Sequence, residues 1–306
     1  MYNENMKVTS VNLASGRGRK FARESIDLKP GGVEGDVHFG SKDRQVSLLG
    51  ENRIQELQTI TGAPDFEAGA FAENITCSYL DDLQVQRLDR FAIGETLLEV
   101  TSIGKPLHKE VDMVGHYVSP HFAVFCRVLK SGTVKAGDEI IWQPKIFRAK
   151  IITLSDRAAD GVYKDKSGPL IVDQLENFFE KESLRFSADY KVIPDDEDKL
   201  IQTLQQARGS DIIMCTGGTG LGETDITPET VQPMLDKELP GIMEYIRVRF
   251  GAENPAALLS RSVAGTMGES LVYTLPGSPK AVDEYMSVIL KTLTHSLWML
   301  HGLDVH

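Results

Sequence analysis

The sequence contains the stretch Asp211-Ile-Ile-Met-Cys-Thr-Gly-Gly-Thr-Gly-Leu-Gly-Glu-Thr-Asp-Ile-Thr-Pro-Glu229, in which an apolar run leads into a glycine-rich loop. The apolar residues 211–215 have the length of a buried parallel strand. The glycines that follow permit positive φ angles and bring the backbone close to a ligand, and successive amides in such a turn bind anions. Thr227 and Pro228 predict the N-cap and first position of a helix. The stretch therefore predicts a phosphate-binding loop between a strand and a helix.

Asp225 lies at the end of this loop and places a negative charge beside the predicted phosphate site. A carboxylate there is unfavourable unless a cation lies between it and the phosphate, so Asp225 is a candidate Mg²⁺ ligand for a nucleotide substrate. The alternative interpretation is a glycine-rich turn that Asp225 caps, because short motifs often occur by chance.

Composition narrows the class of protein. A chain of 306 residues is longer than most single cores support, which predicts two domains. The net charge of -11 argues against a general nucleic-acid or membrane-surface binder.

No apolar run of membrane-spanning length occurs, and the first residues lack the apolar core of a signal peptide, so we expect a cytoplasmic protein. The three cysteines, Cys77, Cys126 and Cys215, lack C-x-x-C spacing and are expected to be small core residues.

The two halves of the chain have different patterns. Residues 1–144 contain short β segments between Gly, Asp and Pro turns, which predicts a mostly β domain built as a closed or nearly closed barrel. Residues 145–306 alternate strands with helices, which predicts a three-layer α/β domain with a mostly parallel sheet. The linker is predicted around Gln143-Pro-Lys145. In such an α/β domain, ligands bind beyond the carboxyl ends of the strands.

Several loops of the second half resemble those of the MogA/MoaB family of molybdenum-cofactor biosynthesis. The matching motifs run in order through residues 147–306 and are Ser155-Asp-Arg-Ala-Ala-Asp-Gly-Val-Tyr163, Ile193-Pro-Asp195, the Thr216 to Glu229 run, Leu259-Ser-Arg261 and Pro276-Gly-Ser-Pro-Lys280. The resemblance implies an enzyme that uses Mg-ATP to adenylylate molybdopterin and releases pyrophosphate. Attack on the α-phosphate of ATP depends on positioning and charge neutralisation more than on a protein nucleophile.

The resemblance also implies roles for individual residues. Asp195 and Asp225 correspond to the two functional aspartates of the family and to the Mg²⁺ ligands. The further candidates for nucleotide or pterin binding are Ser155, Asp156, Lys166, Thr216, Gly217, Gly218, Thr219, Gly220, Ser260, Arg261, Gly277, Ser278 and Lys280. Asp195 could instead be a helix N-cap. Arg157 and Lys280 could be ordinary surface charges.

The first half resembles the MOSC domain, a β domain associated with sulfuration of the molybdenum cofactor. The motifs are Gly35-Asp-Val-His-Phe-Gly40, Arg44-Gln-Val-Ser-Leu-Leu49, Gly69-Ala-Phe-Ala-Glu-Asn-Ile-Thr76 and Lys130-Ser-Gly-Thr-Val-Lys-Ala-Gly-Asp138. Where the family supplies a cysteine, this chain has Leu107 and Val111, with Tyr117 following. These side chains cannot carry sulfur or bind molybdenum, and Cys126 lies in a strand-like run, so sulfur transfer is not expected.

Two interpretations of this half stay open. The domain is either a degenerate barrel or a binder of an anionic pterin. The candidate pocket residues are Asp36, His38, Arg44, Glu73, Asn74 and Lys105. Asp36 and His38 could also bind a metal, although two ligands are a weak signal.

For the whole chain, the first hypothesis is a molybdopterin adenylyltransferase whose MOSC-like half binds or passes on the cofactor. Molybdopterin and ATP are the expected ligands, with a homotrimer and a downstream molybdate-insertion protein as the partners that the resemblance implies. The second hypothesis is a non-catalytic molybdopterin carrier or assembly scaffold. A third is a relative that inserts molybdate or hydrolyses nucleotide with the same fold.

Overall fold

The computed structural model describes residues 6–16, 18–61, 66–80, 83–104 and 123–303. The chain divides into two compact units, residues 1–145 and residues 146–306. Within the described ranges, none of the helices has both the length and the apolarity needed to cross a bilayer.

The N-terminal unit is mostly β. Its elements are β1 (Val8–Leu13), β2 (Phe21–Arg23), β3 (Ser25–Lys29), β4 (Gly32–Val33), β5 (Val46–Gly50), α1 (Glu51–Thr61), β6 (Ile75–Cys77), β7 (Arg90–Ile93), β8 (Thr96–Ile103), β9 (Val124–Lys130), β10 (Gly132–Lys135) and β11 (Ile140–Gln143). Apolar side chains such as Leu48, Ile75 and Phe91 form one buried core. In β3 buried and exposed residues alternate, as in many antiparallel sheets with one buried face, whereas all five residues of β5 are buried.

The strands of this unit form an eight-stranded sheet of order β11-β7-β8-β9-β5-β6-β1-β2 and a three-stranded sheet of order β10-β3-β4. Among the described residues, the end strands β11 and β2 are not paired, so the expected closed barrel is not found. The start of β1 approaches β11 through a bridge between Lys7 and Glu139, the residues just before the two strands. Backbone hydrogen bonds add to it, from the Val8 amide to the Asp138 carbonyl over 2.9 Å and from the Ile140 amide to the Met6 carbonyl over 2.8 Å. The later residues of β1 pair with the short, exposed β2, which leaves the sheet open at that end.

The C-terminal unit alternates strands and helices. Its elements are β12 (Phe147–Leu154), α2 (Asp156–Ala159), α3 (Ser167–Lys181), β13 (Phe186–Ile193), α4 (Glu197–Gln206), β14 (Ile212–Thr216), α5 (Thr227–Val231), β15 (Lys237–Glu238), α6 (Pro240–Gly251), β16 (Ala264–Met267), β17 (Ser270–Leu275) and α7 (Pro279–Leu300), with 3-10 turns at Gln232–Met234 and Pro255–Leu259. The sheet order is β13-β12-β14-β17-β16-β15. The first four strands are parallel, and β16 and β15 are antiparallel additions.

Helices cover both faces of this sheet, which confirms the predicted three-layer α/β domain. On one face, Phe179 of α3 stacks on Phe147 of β12, with the ring centroids 5.4 Å apart. On the other face, Leu200 and Leu204 of α4 pack with Ile152 of β12. Burial on both faces explains why β14 is a nearly continuous apolar run, whereas β12 also contains Arg148 and Lys150.

The parallel register brings the ends of four strands to one edge of the sheet. Leu154 at the end of β12 pairs with Ile193 of β13, and Thr216 at the end of β14 pairs with Leu275 of β17. The loops that carry the predicted motifs leave the sheet at this edge, where ligands of parallel α/β proteins bind.

Candidate active site at the carboxyl edge of the parallel sheet

The loops at this edge enclose a cavity of about 680 Å³, a volume typical of small-molecule sites. Ten of the predicted site residues line it: Ser155, Asp195, Gly217, Gly218, Thr219, Gly220, Asp225, Ser260, Gly277 and Ser278. The cavity also has lining residues that the sequence did not single out as binding residues, including Thr153, Asp165, Glu284 and Tyr285. Motifs separated by more than a hundred residues therefore meet in one cavity.

The glycine-rich loop wraps closely around the end of β12. Gly217 has a φ angle of +102°, and a Cβ atom there would lie 2.3 Å from the Leu154 carbonyl oxygen. The Gly217 amide donates to the Leu275 carbonyl over 3.0 Å. Among residues 146–303, the amides of Gly218, Thr219 and Gly220 donate no hydrogen bond. They are therefore free to donate to a ligand, and anion binding by this loop stays a prediction.

The prediction that Thr227 is a helix N-cap is wrong. Ile226 occupies the N-cap position of α5, and Thr227 is the first residue of that helix. The Thr227 hydroxyl donates to the Gly217 carbonyl over 2.8 Å, and its amide donates to the Gly218 carbonyl over 3.0 Å. Thr227 therefore hydrogen-bonds the glycine loop and does not cap the helix. Since α5 has only five residues, its dipole is too small to be a major source of positive potential.

Asp225 both caps the glycine-rich turn and faces the cavity. Its Oδ2 accepts a hydrogen bond of 2.7 Å from the Gly222 amide, so the side chain does cap the turn. The same carboxylate lines the cavity, and among residues 146–303 its Oδ1 accepts no hydrogen bond. One oxygen thus shapes the loop while the other is free to meet a ligand.

Asp195 is held by Asp156 and is not a helix cap. The N-cap of α4 is Asp196, whose side chain accepts from the Lys199 amide over 2.9 Å. Asp195 Oδ2 accepts from the Asp156 amide, and the Asp195 amide donates to Asp156 Oδ1, both over 3.0 Å. Burial raises the pKa of Asp195, and the negative charges of Asp156 and Asp225 raise it further.

The cavity has a negative lining that suits a metal-bound phosphate. Among the described residues, no basic side chain lines it, whereas Asp165, Asp195, Asp225 and Glu284 do. No group of three or more His, Cys, Asp or Glu side chains in the described ranges could hold a metal ion by itself. Asp195 and Asp225 each keep one unbonded oxygen, and Mg²⁺ characteristically combines one or two carboxylates with phosphate oxygens of its substrate. The donor set therefore fits Mg²⁺ that arrives with a nucleotide.

Five predicted residues lie near the cavity without lining it. Thr216 donates its hydroxyl to the Pro276 carbonyl over 2.8 Å, and Asp156 holds Asp195. Lys166 is the N-cap residue of α3 and makes no side-chain capping bond, and Lys280 is a surface residue near Glu284. The fifth is Arg261.

Arg261 lies outside the cavity and holds the glycine loop through hydrogen bonds. Its guanidinium donates to the Gly220 carbonyl over 2.7 Å and to the Asp225 carbonyl over 2.8 Å, and it pairs with Glu229. The Arg261 amide donates to the Thr219 carbonyl over 3.1 Å. These bonds occupy the guanidinium, so Arg261 positions the loop. Arg157 is likewise engaged locally, with its guanidinium 5.3 Å from the Tyr163 ring centroid.

Asp165 is a site residue that the sequence analysis missed. Its Oδ2 accepts hydrogen bonds from the hydroxyls of Tyr190, at 2.5 Å, and Thr153, at 2.7 Å. The amides of Ser167 and Gly168 donate to the same carboxylate over 2.9 and 3.0 Å. Burial opposes ionisation, but these bonds, with that from Tyr190 the strongest, hold the pKa of Asp165 below its ordinary value. The Asp-x-Ser-Gly sequence before a helix was the available signal, since Asp often caps helices.

Comparison with known proteins decides the family. The model of the probable molybdopterin binding domain matches residues 150–295. A molybdopterin adenylyltransferase of Pyrococcus furiosus is 37% identical over 161 residues, which cover 50% of this chain and 91% of that protein. The chain belongs to the MogA/MoaB family. The molybdenum cofactor biosynthesis protein B of Bacillus cereus is 35% identical to this MogA/MoaB chain over 164 residues, which cover 52% of it and 93% of that protein.

The comparisons also cover a solved structure and the N-terminal unit. The tungsten cofactor synthesizing protein MoaB from Pyrococcus furiosus is 36% identical, covers 51% of this chain and 98% of its own, and gives a TM-score of 0.46. The MOSC domain model matches residues 34–141. The chain is thus a MOSC domain followed by a MogA/MoaB domain.

In the MOSC domain, three of the predicted pocket residues are internal. Asp36, Glu73 and Asn74 are buried. Asp36 Oδ2 lies 2.9 Å from Lys20 Nζ and 3.1 Å from Asn74 Nδ2, while Asp36 Oδ1 accepts from the His38 amide over 3.0 Å. Both Asp36 oxygens therefore have partners within the domain.

Glu73 and the remaining predicted pocket residues differ in their surroundings. Burial raises the pKa of Glu73, whose carboxylate accepts a 2.6 Å hydrogen bond from the Gly69 amide. His38 is exposed, with its Nδ1 3.2 Å from Asp36 Oδ1, and Arg44 lies over the Phe125 ring. Lys105 lies outside the described residues, as do Leu107, Val111 and Tyr117.

The cysteines of the chain are buried in both domains. Burial raises the pKa of Cys126 well above its ordinary value, with smaller contributions from Cys77 and nearby carboxylates. Burial also raises the pKa of Cys215 to about 12. A buried, protonated thiol is a poor nucleophile, which agrees with the expectation that Cys126 does not replace the missing MOSC cysteine.

Proposed function

We propose that the C-terminal unit transfers AMP from Mg-ATP to the terminal phosphate of molybdopterin. An oxygen of that phosphate bonds to the α-phosphorus of ATP, while the bond from that phosphorus to the bridging oxygen breaks and pyrophosphate leaves with the electron pair. The observation that carries the proposal is that Asp195 and Asp225 line the same cavity as the free amides of Gly218 to Gly220. Relatives named molybdopterin adenylyltransferase, which align along most of their length, support it.

The residues of the cavity act by positioning and by neutralising charge. The free amides of the glycine loop bind phosphate oxygens, and Arg261 and Thr227 hold that loop rigid. Asp195 and Asp225, each with one unbonded oxygen, would hold Mg²⁺. When bound, this ion neutralises the phosphates that the acidic lining would otherwise repel. Because the attacking phosphate is already anionic, the reaction needs no side chain to remove a proton from it.

The decisive experiment uses the full chain under anaerobic conditions with molybdopterin and Mg-ATP, and follows pyrophosphate and molybdopterin-AMP. We expect both products from the wild type and a fall of at least about 100-fold in rate for Asp225→Asn, since the amide removes the charge that holds the ion. Asp225→Asn retains an oxygen that can accept from the Gly222 amide, so the turn keeps its cap. Asp198→Asn, which changes an exposed carboxylate on α4, is the matched control and should retain full activity.

The same experiment separates this function from the carrier hypothesis. A wild-type protein that binds molybdopterin tightly but forms no pyrophosphate would be a carrier, and Asp225 would then serve only as a turn cap. Release of phosphate from ATP without molybdopterin would instead indicate nucleotide hydrolysis.

For the MOSC domain, we infer that it does not carry sulfur. The inference is supported by the burial of all three cysteines of the chain and by the raised pKa of Cys126. After exposure of the folded protein to a persulfide donor, intact-mass measurement should show no added sulfur. A stoichiometric gain of one sulfur atom on Cys126 would contradict it.

A further inference from the structure

The first turns of α7 form one wall of the cavity. Ala281, Glu284 and Tyr285 line it, and their spacing of three and four residues places them on one face of the helix. Tyr285 is buried and donates its hydroxyl to Ser260 Oγ over 2.9 Å. The wall therefore consists of a fixed tyrosine, a small alanine and the carboxylate of Glu284.

Glu284 differs from the other carboxylates of the cavity because it lacks a strong partner. Asp165, Asp195 and Asp225 each accept at least one hydrogen bond from a protein amide. Within residues 146–303, the Glu284 carboxylate accepts none, and its nearest cation is Lys280 Nζ at 3.7 Å. The Lys280 side chain is 80% exposed and that of Glu284 is 21% exposed. A pair at this distance with one well-exposed partner contributes little to stability, so both Glu284 oxygens are available to a ligand.

The sheet order separates Glu284 from Asp195, one of the two predicted metal ligands. Asp195 follows β13 and Glu284 lies on the helix that follows β17, with β12 and β14 between these strands. Three strand spacings correspond to about 14 Å along the sheet edge. Asp195 thus lies about three strands away from the wall with Glu284, whereas Asp225 follows β14, the strand next to β17.

An ionised carboxylate accepts hydrogen bonds through two oxygens and donates none. It therefore matches a ligand edge with two adjacent donors. A pterin ring has such an edge, formed by its 2-amino group and N3–H. The corresponding edge of adenine combines the 6-amino donor with the N1 acceptor, which would face a carboxylate oxygen unfavourably.

We propose that Glu284 is the residue that recognises the pterin ring of the substrate, by accepting hydrogen bonds from its 2-amino group and N3–H. This proposal rests on the proposed function and assigns the pterin to the α7 wall and the nucleotide phosphates to Asp195, Asp225 and the glycine loop. Ser260, Gly277 and Ser278, which the sequence associates with pterin or nucleotide binding, line the cavity together with Glu284.

The test compares the KM values of the two substrates in the full chain. We expect Glu284→Gln to raise the KM for molybdopterin by about 10- to 100-fold and to leave the KM for Mg-ATP within about twofold, because hydrogen bonds to a charged group are strong and the glutamine amide would face the ring donors. Asp283→Asn, which changes the adjacent carboxylate that accepts from Gln174 and does not line the cavity, is the matched control and should change neither KM.

A second measurement distinguishes recognition from a general structural effect. Pterin and lumazine are compared as competitors of molybdopterin, because lumazine replaces the 2-amino donor with an oxo acceptor. The wild type should favour pterin by at least about tenfold, and Glu284→Gln should lose that preference even though it folds normally. If neither pterin nor lumazine inhibits, the molybdopterin KM of Glu284→Gln relative to the wild type decides whether the proposal holds.

These measurements distinguish failure of the proposed function from failure of the role of Glu284. A wild type that neither binds molybdopterin nor forms molybdopterin-AMP would overturn the proposed function. An active wild type with an unchanged molybdopterin KM in Glu284→Gln would overturn the role of Glu284 alone. A variant whose KM rises for ATP and not for molybdopterin would place Glu284 on the nucleotide side, which also overturns it.

Discussion

Asp156 and Asp195 exchange two hydrogen bonds of 3.0 Å, in which the amide of each residue donates to the carboxylate of the other. The pair joins the loops after β12 and β13 and fixes one Asp195 oxygen, so that the other is left for a ligand. It also places a second negative charge beside Asp195, which contributes to the raised pKa of that carboxyl.

This arrangement predicts that Asp156→Asn shifts the pH profile of the proposed reaction. Removing the negative charge of Asp156 lowers the pKa of Asp195, so the ionised form that holds Mg²⁺ persists at lower pH. We expect the acid limb of the kcat/KM profile to move to lower pH, with activity at pH 7 within a fewfold of the wild type. Asp156→Ala also removes the acceptor for the Asp195 amide, and its activity should fall by about 10- to 100-fold. An unmoved acid limb in Asp156→Asn would contradict the assignment.

Asp195→Asn should stabilise the protein at neutral pH while it removes activity. Burial raises the pKa of Asp195, so folding opposes its ionisation. The stabilising contribution of the protonated form is complete below the unfolded pKa of about 3.9 and is lost as the pH rises through the folded pKa. At pH 7 the neutral asparagine avoids this cost, and we expect its melting temperature to be higher by about 1–3 °C. Thermal scans at pH 7 and pH 3 test the sign, since the gain should vanish at pH 3.

Asp165→Asn should destabilise the C-terminal unit in a pH-dependent way. The asparagine amide would face the donors that now converge on the carboxylate, at an expected loss of about 1–2 kcal/mol at pH 7. Because the folded pKa of Asp165 is lowered, its stabilisation is present above the unfolded pKa and is lost as the pH falls through the folded pKa. Urea unfolding followed by Trp298 fluorescence, in a Trp142→Phe background, should show the difference from the wild type shrinking towards pH 2. A difference that does not change with pH would count against the ionised carboxylate.

Two glycines provide a matched pair of substitutions. Gly217→Ala combines a φ angle of +102° with a Cβ position 2.3 Å from the Leu154 carbonyl oxygen, and we expect a loss of about 3 kcal/mol and of activity. Gly241 lies in α6 with no atom within 4 Å of an added Cβ, so Gly241→Ala should stabilise by about 0.5 kcal/mol. Both are measured by urea unfolding. Similar effects in the two variants would show that the close approach at Gly217 is unimportant.

The buried ion pair of Lys20 and Asp36 predicts a strong dependence of each residue on the other. Both side chains are 1% exposed, and Lys20 Nζ lies 2.9 Å from Asp36 Oδ2. Lys20→Met leaves a buried carboxylate without its cation and should cost about 3–5 kcal/mol. Adding Asp36→Asn should recover part of that loss. Amide hydrogen exchange in β1 and β6 reports the stability of this domain, and simple additivity of the two substitutions would argue against coupling.

Much of the fold follows from local patterns in the sequence. The apolar run before Thr216 is a buried strand because both faces of the sheet are covered, and the alternation of strands and helices in residues 145–306 specifies a parallel sheet. The β pattern of the MOSC domain predicted the strands, but the closed barrel expected from it is not found among the described residues. Closure depends on which end strands pair, and β1 pairs with β6 and β2, while Val8 at its start bonds the turn before β11.

In the candidate site too, some features follow from local sequence and others from tertiary packing. By itself, the sequence determined the glycine loop and the strand ends that place Asp195 and Asp225 at one edge of the sheet, because glycine conformation and apolar periodicity are local properties. Only the tertiary structure decided that Asp156 holds Asp195 from 39 residues away, that Arg261 clamps Gly220 from 41 residues away, and that Tyr190 bonds Asp165 from 25 residues away. It also decided that Glu284 faces the cavity. These contacts depend on how helices and loops pack over the sheet edge, which fixes the direction of each side chain and is not encoded in any short stretch of the chain.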